Sequence, residues 1–220
     1  MRTSFALAVA FLVATPLAAQ NARAPQLLSN GAQVYGPSVC SSGDISAVVW
    51  KDAATNDIYA SASDGRGINW SAPVRVDDDT ISAWKGVYDY SIACRDGSIY
   101  LAWRDERNGK DDCYFSASHD GGATWSANIR LDDGSAAGAK AVDQAMIDVS
   151  GANVYVVMRV DKISGTGEST WLASSNDRGA TWNPSLQADS DLGDCDYQDV
   201  SADGANAYVA FCDDRNASSD

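Results

Sequence analysis

Three aspartates are the residues of this 220-residue chain best suited to chemistry. Asp89, Asp143 and Asp196 stand at matching points in three successive repeats of the sequence. Two carboxyl groups are enough to hydrolyse a glycosidic bond, one as the acid and the other as a base or nucleophile. The three aspartates are therefore candidate catalytic residues, and Tyr90 and Tyr197 directly follow two of them.

Four arginines near the same points could bind an anionic substrate group, because a planar guanidinium matches a carboxylate in a bidentate geometry. They are Arg104, Arg107, Arg159 and Arg215. Lys51 and Cys212 stand at the equivalent positions of two other repeats, so the pattern is not preserved throughout. Surface arginines commonly pair with nearby acids. We therefore expect each arginine to pair with an acid of its own repeat.

The composition excludes several other kinds of chemistry. The one histidine of the chain, His119, stands at a variable position of a repeated turn motif, which argues against a Ser-His-Asp triad or a histidine-ligated zinc within these 220 residues. A formal net charge of −14 disfavours nucleic acid and anionic lipid as partners. Clustered aspartates such as Asp77-Asp78-Asp79 suit Ca²⁺. No spacing matches an EF-hand, and solvated acidic turns give the same pattern, so no cofactor is required and calcium stays an open alternative.

Two octapeptides identify the elements that must position these residues. Residues 118–125 and 175–182 fit the pattern S-x-D-x-G-x-T-W, and residues 63–70 form a looser copy. Their tryptophans are 125 − 70 = 55 and 182 − 125 = 57 residues apart, which predicts a propeller or a solenoid. In such a turn the Asp accepts backbone N–H groups, the Gly takes a positive φ and the Trp covers the hairpin. We predict a structural role for Asp64, Gly67, Trp70, Ser118, Asp120, Gly122, Thr124, Trp125, Ser175, Asp177, Gly179, Thr181 and Trp182.

The octapeptides resemble the Asp-box, or BNR repeat, of sialidases and other secreted β-propellers. Residues 100–109 and 113–118 are similar to the strands and loop that precede many bacterial Asp-boxes, and the resemblance covers nearly all of the chain after its leader. It implies an all-β propeller with four-stranded antiparallel blades. About three and a half blades are present, whereas a six-bladed ring needs about 330 residues. We therefore expect a fragment of such a ring whose last blade is incomplete.

Apolar and alternating runs predict the strands of each blade. They lie at 45–50, 57–63 and 73–76, at 90–95, 98–104, 113–118 and 125–131, at 146–149, 154–159, 169–174 and 182–187, and at 198–200 and 207–212. Trp50, Trp103, Met158 and Phe211 recur at one position of this pattern. A large apolar residue that recurs in a repeat is usually packing, so we expect these four in the inter-blade core.

Two functional hypotheses follow from the resemblance. The first is an exported glycoside hydrolase of the exo-α-sialidase type. In that family three arginines bind the substrate carboxylate and an F/Y-R-I-P motif opens the first blade, whereas Val34-Tyr35-Gly36-Pro37 here has no arginine. The alternative is a non-catalytic propeller that binds a glycan or protein through its acidic loops. A glycan or glycoprotein is the expected partner, and no oligomeric state is predicted.

The N-terminus predicts export. Residues 1–19 have a basic start, an apolar run and a small-residue cleavage site, the pattern of a signal peptide. The apolar run is shorter than the ~20 residues that span a bilayer. Residues 20–30 are predicted as a linker and residues 31–220 as propeller blades. We therefore expect a secreted or periplasmic protein with no membrane contact after cleavage.

Five cysteines in an exported chain can form disulfides. Cys195 and Cys212 flank a hairpin centred near Asp203-Gly204, so we expect a disulfide between them. Cys40 and Cys94 lie at nearly equivalent points of two inner strands. We expect those two to be small buried residues rather than a bridge.

Overall fold

The computed structural model describes residues 8–9, 25–65, 67–80, 87–131, 134–162, 167–189 and 194–214. Every regular element within these ranges is a β-strand, and all strand pairs are antiparallel. Three sheets have four strands each. The all-β fold with four-stranded blades is therefore confirmed. No helix that could cross a membrane occurs in these ranges.

The blades follow one another along the chain. A two-residue ladder of β1 (Ala8–Val9) and β2 (Gln26–Leu27) comes first. Blade 1 contains β3 (Val34–Ser42), β4 (Ile45–Asp52), β5 (Ile58–Ser63) and β6 (Val74–Arg75). Blade 2 contains β7 (Val87–Arg95), β8 (Ser98–Asp105), β9 (Asp112–Ser118) and β10 (Ile129–Leu131). Blade 3 contains β11 (Val142–Ser150), β12 (Asn153–Asp161), β13 (Glu168–Ser175) and β14 (Leu186–Gln187), and β15 (Cys195–Asp203) and β16 (Asn206–Asp213) form the described part of blade 4.

The predicted strands are present, with corrections at their ends. β3 was not predicted, because Gly36 and Pro37 interrupt its apolar pattern. The fourth strands β10 and β14 are shorter than predicted and begin after the tryptophans. The reason is local, since Ser126 N donates to Ala117 O at 2.8 Å and Asn183 N donates to Ser174 O at 2.9 Å before each fourth strand starts.

The core lies between the sheets. Trp50, Trp103 and Met158 are at most 2% exposed, as expected for inter-blade packing, whereas Phe211 is half-buried. Complete burial of such a side chain stabilises the fold by about 1.5–3 kcal/mol. Leu28 is buried in the same cluster as Trp50, so the packed part of blade 1 begins inside the predicted 20–30 linker. The predicted signal peptide lies outside the described residues, except for the backbone of β1.

The disulfide prediction is corrected by the structure. Cys40 and Cys94 form a disulfide between β3 and β7 with a Cα–Cα distance of 5.5 Å. The expectation that they are unbridged was wrong, because the innermost strands of neighbouring blades lie side by side and bring equivalent positions together. Cys212 is a free, exposed thiol, so the predicted bridge to Cys195 is not formed. The register pairs Cys212 with Asp196, one residue out of line with Cys195.

Candidate functional site

The aspartates of the two strict octapeptides bond within their own turns. Thr124 N donates to Asp120 Oδ1 at 2.9 Å, and Thr181 N donates to Asp177 Oδ1 at 2.8 Å. In both turns a serine hydroxyl and the threonine hydroxyl also donate to the carboxylate. These hydrogen bonds lower the pKa of Asp120 and of Asp177 to about 2, and the bond from the threonine hydroxyl contributes most. Both carboxylates are therefore held by their own turns.

The same octapeptides wedge each blade against the preceding one. Gly179 has a φ of 85°, and a Cβ there would lie 2.4 Å from the Phe115 ring on β9. Trp182 packs edge-on against Phe115 at 4.8 Å and donates its indole N–H to Gly179 O at 3.2 Å. The indole nitrogen of Trp125 is buried without a hydrogen-bond partner in the described residues. The motif is thus both a turn and an inter-blade contact.

The looser copy keeps only part of this arrangement. Gly67 N donates to Ser63 Oγ at 3.1 Å, as Gly122 N does to Ser118 Oγ at 2.8 Å. Asp64 follows Ser63 directly, whereas Asp120 stands two residues after its serine. The serine half of the motif is therefore kept, and Asp64 is one residue out of step with the turn carboxylate of the strict copies.

The opposite end of the blades, here called the loop face, consists of the connections between second and third strands and those between successive blades. A β-bulge interrupts each innermost strand near this face, and bulges re-aim side chains. The register shifts fall between Tyr35 and Ser38, Tyr88 and Tyr90, Val142 and Gln144, and Asp196 and Asp199. Within three of these bulges Gly36, Asp89 and Tyr197 have φ values of 57°, 40° and 49°.

The bulges change which residues are equivalent. When positions on the innermost strands are compared relative to the pairs beside the inter-blade core, Asp143 and Asp196 occupy the same position. Asp89 stands one residue later along its strand, at the position that Tyr197 occupies in blade 4. The prediction of three matching aspartates was therefore wrong for Asp89, because the bulges of blades 2 and 3 lie at different pairs. The backbone of Asp196 is part of β15, and its side chain lies outside the described part of the structure.

Two predicted arginines converge on one predicted aspartate. Arg104 of blade 2 donates from Nη1 to the backbone O of Asp143 at 2.6 Å and to its Oδ1. Arg159 of blade 3 forms an ion pair through Nη2 with Oδ2 of the same carboxylate. The expectation that each arginine pairs with an acid of its own blade is met only in part by Arg104, because its shortest contacts cross to blade 3. The innermost strand of blade 3 brings Asp143 alongside the second strand of blade 2, so the two arginines meet there.

Three more acids complete this group. Asp111 and Asp89 lie 3.6 Å and 3.8 Å from Arg104, and Glu168 Oε2 lies 3.0 Å from Arg159 Nε. The side chains of Arg104 and Arg159 are only 12% and 16% exposed, whereas those of Asp143 and Asp89 are 42% and 62% exposed. The two arginine side chains are therefore mostly buried, and they contact carboxylates that are accessible to solvent. We call this set the Asp143 cluster: Asp89, Arg104, Asp111, Asp143, Arg159 and Glu168.

Asp111 and Glu168 were not among the predicted site residues, and Asp111 has the more unusual environment of the two. Burial raises its pKa to about 6, although Arg104 opposes the shift. Its Oδ1 is buried and has no hydrogen-bond partner among the described residues. A carboxyl group of this kind can donate a proton near neutral pH. Asp111 could have been identified from the sequence by its place in the loop after the second strand, since that strand carries Arg104.

Arg107 belongs to a separate network. Its guanidinium donates to Asp105 Oδ2 at 2.7 Å and to Asp78 Oδ1 at 2.8 Å, and it lies 3.9 Å from the centre of the Tyr114 ring. Asp105 is fully buried. Arg107 therefore holds the β8–β9 loop to the end of blade 1 and is not part of the Asp143 cluster. Arg215 lies outside the described residues.

The two tyrosines that follow candidate aspartates differ in environment. Tyr90 donates its hydroxyl to Tyr35 O at 2.9 Å and to Gly36 O, and burial raises its pKa. A phenol with a raised pKa is a poor nucleophile. Tyr197 is 78% exposed and offers an aromatic surface beside the bulge of blade 4. Tyr197 is the accessible one of the two.

One group of carboxylates has the geometry of a cation site. Ligand oxygens of Asp57, Asp77 and Asp79 lie within 4.8 Å of one another, a set compatible with Ca²⁺. Arg75 Nη2 lies 2.9, 2.7 and 3.1 Å from these three carboxylates respectively. A guanidinium therefore already offsets part of their charge and occupies the place where a calcium ion would bind.

The four-stranded antiparallel sheets and the Asp-box turns define the blades of a β-propeller. The BNR repeat-like domain family matches residues 42–207, and the chain belongs to that family. No curated protein matches the sequence. The family assignment therefore stands on the repeat itself.

Solved propellers share the fold at low sequence identity. Trypanosoma rangeli sialidase, in complex with a difluoro-KDN compound, is similar at 12% identity and a TM-score of 0.55, over 86% of this chain and 34% of that one. The α-L-arabinanase of Penicillium chrysogenum, in complex with arabinobiose, is similar at 12% identity and a TM-score of 0.51, over 76% and 54%. The NanB sialidase of Streptococcus pneumoniae gives 15% identity and a TM-score of 0.47, over 78% and 26%. The chain thus spans between about a quarter and about half of these proteins, and the likeness concerns the fold alone.

Proposed function

We propose that this chain is part of an exported glycoside hydrolase whose active site is the Asp143 cluster. The observation that carries the proposal is the meeting of two mostly buried guanidinium groups with four carboxyl groups from blades 2 and 3 on the loop face. Glycosidic bonds are hydrolysed by pairs of carboxyl groups with different protonation states. The fold shared with a sialidase and an arabinanase supports the same reaction class.

The cluster offers a distinct role to three of its four acids. Asp111, with its pKa raised to about 6, is the proton donor to the leaving oxygen. Asp143 is engaged on both oxygens by Arg104 and Arg159, so it is the fixed anion that stabilises positive charge on the sugar ring. Asp89 is the most exposed of these carboxylates and is free to activate water or to attack the anomeric carbon.

The arginines limit which glycosides fit. A substrate carboxylate could reach Arg104 and Arg159 only if Asp143 moved away, because it already binds both. An exo-α-sialidase of the familiar kind therefore requires a rearrangement of the site, whereas hydrolysis of a glycan with no carboxylate at the reacting sugar requires none. The proposed enzyme is therefore a glycoside hydrolase that prefers glycans with no carboxylate on the reacting sugar.

A second candidate function is glycan binding without turnover. It is favoured by the exposed Tyr197 and Tyr35, which are 78% and 46% exposed on the innermost strands. Exposed aromatic rings bind the apolar faces of sugars. In this case the Asp143 cluster would stabilise the loop face and recognise hydroxyl groups.

A substrate panel separates the two candidates. The full chain is assayed with chromogenic α-sialosides and α-L-arabinosides and with reducing-sugar release from glycans, alongside Asp143→Asn and Asp177→Asn. We expect turnover by the wild type, about a thousandfold loss in Asp143→Asn, and retained turnover in Asp177→Asn, whose carboxylate lies in an Asp-box turn. Glycan binding without product by the wild type would replace the hydrolase with the binding function.

A further inference from the structure

The innermost strands of blades 3 and 4 lie side by side in a fixed register. Ala202 N on β15 donates to Asp148 Oδ2 on β11 at 2.7 Å. Closer to the loop face, Gln198 Nε2 on β15 donates to Gln144 O on β11 at 3.3 Å. In both bonds the residue of β15 stands 54 positions after its partner on β11. The two strands therefore keep one register from the middle of the sheet up to their bulges.

This register brings one exposed aromatic residue to the Asp143 cluster. Tyr197 directly precedes Gln198, and Asp143 directly precedes Gln144. Because Gln198 bonds to Gln144, the two preceding residues are neighbours on adjacent innermost strands. Tyr197 is 78% exposed, and the side chain of Asp143 is 42% exposed. An accessible tyrosine therefore lies on the blade 4 side of the accessible carboxylate.

The position that Tyr197 occupies is one from which a side chain reaches the cluster. Asp89 holds the same position in the bulge of blade 2, and the two residues have similar φ values of 49° and 40°. Asp89 lies 3.8 Å from Arg104 and stays 62% exposed, although β11 of blade 3 packs beside its strand. Exposure at this position thus persists when a following blade lies alongside.

The bulge that carries Tyr197 is held in place. A positive φ is unusual for a bulky residue, and such backbone strain persists only where the surrounding structure enforces it. Gln198, the next residue, is 4% exposed and bonds across to blade 3. The backbone at Tyr197 is therefore fixed before any ligand arrives, which lowers the entropic cost of binding.

The chemistry of this position favours a neutral sugar. A tyrosine ring offers an apolar face and a polar tip, and the C–H face of a sugar ring packs against such a surface. A net charge of −14 repels anionic glycans over long distances. The two arginines of the cluster, Arg104 and Arg159, already bind Asp143. An uncharged sugar next to the reacting one meets none of these obstacles.

We propose that Tyr197 forms a sugar-binding subsite beside the Asp143 cluster, so that the site takes a neutral oligosaccharide whose chain extends from the cluster toward blade 4. The ligand of the site is then a chain of at least two sugars and not a single terminal residue. The role of the subsite in turnover rests on the proposed hydrolase function, whereas binding of the chain at Tyr197 does not.

The test is a calorimetric titration of the full chain with neutral tetrasaccharides of α-1,5-arabinan, β-1,4-galactan and β-1,4-glucan, and with their monosaccharides. We expect at least one tetrasaccharide to bind about tenfold more tightly than its monosaccharide. Tyr197→Asn should weaken that binding about tenfold, because the ring is lost while asparagine tolerates the positive φ. Tyr197→Phe keeps the ring and should stay within about threefold.

Tyr208→Asn is the matched control. Tyr208 is a 59% exposed tyrosine of the same blade, and it pairs with Ser201 nearer to the Asp-box end of the sheet. We expect a change in affinity of less than about twofold. Thermal unfolding of each variant identifies any that fails to fold.

A second measurement needs no variant. Exposed tyrosines of the wild type are nitrated with and without the bound tetrasaccharide, and the products are located by mass spectrometry. The tetrasaccharide should slow nitration of Tyr197 at least about threefold and leave that of Tyr208 unchanged, because a stacked sugar covers the ring.

Each outcome decides the proposal. Absence of binding by all three tetrasaccharides, unchanged affinity in Tyr197→Asn, an equal loss in Tyr208→Asn, or unprotected nitration of Tyr197 overturns it. Binding that depends on Tyr197 without turnover sustains the subsite and removes the hydrolase. Turnover of a tetrasaccharide with an unchanged KM in Tyr197→Asn sustains the hydrolase and removes the subsite.

Discussion

The Asp-box turns and the loop face use the same residue type in opposite ways. Asp120 and Asp177 receive their hydrogen bonds from residues at most four positions away. Asp143 receives its partners from the second strands of two different blades, and Asp111 has one oxygen without a partner in the described residues. An aspartate that is satisfied locally stabilises a turn. In the proposed hydrolase, chemistry falls to loop-face aspartates whose surroundings are built by more than one blade.

The largest expected effect concerns the disulfide between Cys40 and Cys94. It joins β3 and β7 near the ends of these strands that lie on the Asp-box side of the blades. Replacing Cys40 and Cys94 together by serine should lower the free energy of unfolding by about 4 kcal/mol, because the bridge closes a long loop of the unfolded chain. Urea unfolding measures the change. Glycan affinity of the folded variant should be unchanged, and a loss of affinity at full occupancy of the folded state would contradict the separation of the two faces.

The next effect compares two glycines with similar backbone angles. Gly179 has a φ of 85° and faces Phe115, whereas Gly134 on the loop face has a φ of 87° and no atom within 4 Å of an added Cβ. Gly179→Ala should lower the free energy of unfolding by about 3 kcal/mol, and Gly134→Ala by about 1 kcal/mol. Equal losses of unfolding free energy in urea would show that Gly179→Ala causes backbone strain alone. The close contact of Gly179 with the preceding blade would then add nothing to stability.

The pH dependence of stability should have opposite signs at the two faces. Asp120 has a folded pKa of about 2, below the unfolded value of about 3.9, so its contribution is present above pH 4 and is lost as the pH falls toward 2. Asp111 has a folded pKa of about 6, above the unfolded value, so its charged form destabilises the fold above pH 6 and the penalty disappears as the pH falls toward 4.

Melting temperatures of two variants across pH 2–8 check these signs. Asp111→Asn should melt above the wild type at pH 7 and together with it near pH 4. Asp120→Asn should melt below the wild type at pH 7, and the gap should close toward pH 2. A gap of the same sign for both variants at pH 7 would contradict the distinction between the faces.

The repeat could be predicted because its physics is local. Ser118 to Trp125 contain the donors, acceptors and positive-φ glycine of their own turn, so eight residues suffice to identify it. The loop face could not be predicted in the same way. The meeting of Arg104 with Asp143 depends on how blades 2 and 3 lie side by side, and a one-residue bulge moved Asp89 out of the expected equivalence.

The disulfide could not be predicted from the sequence for the same reason, because its pairing depends on contacts between blades. The sequence places Cys195 and Cys212 on one hairpin, a short-range argument that the register does not satisfy. Cys40 and Cys94 were set aside because they occupy equivalent places in different blades. That equivalence is the reason they meet, since innermost strands of successive blades are neighbours.

The most direct test of the account is the pair Asp111→Asn and Asp120→Asn, each assayed for turnover of a cleaved glycan and for thermal unfolding. We predict that Asp111→Asn loses between about a hundredfold and ten-thousandfold in kcat while its melting temperature holds or rises, because a proton donor is removed from a site where its charge was unfavourable. Asp120→Asn should keep kcat within about twofold and melt several degrees lower, since a charged turn acceptor is lost. Full turnover in Asp111→Asn would contradict the assignment of chemistry to the loop face.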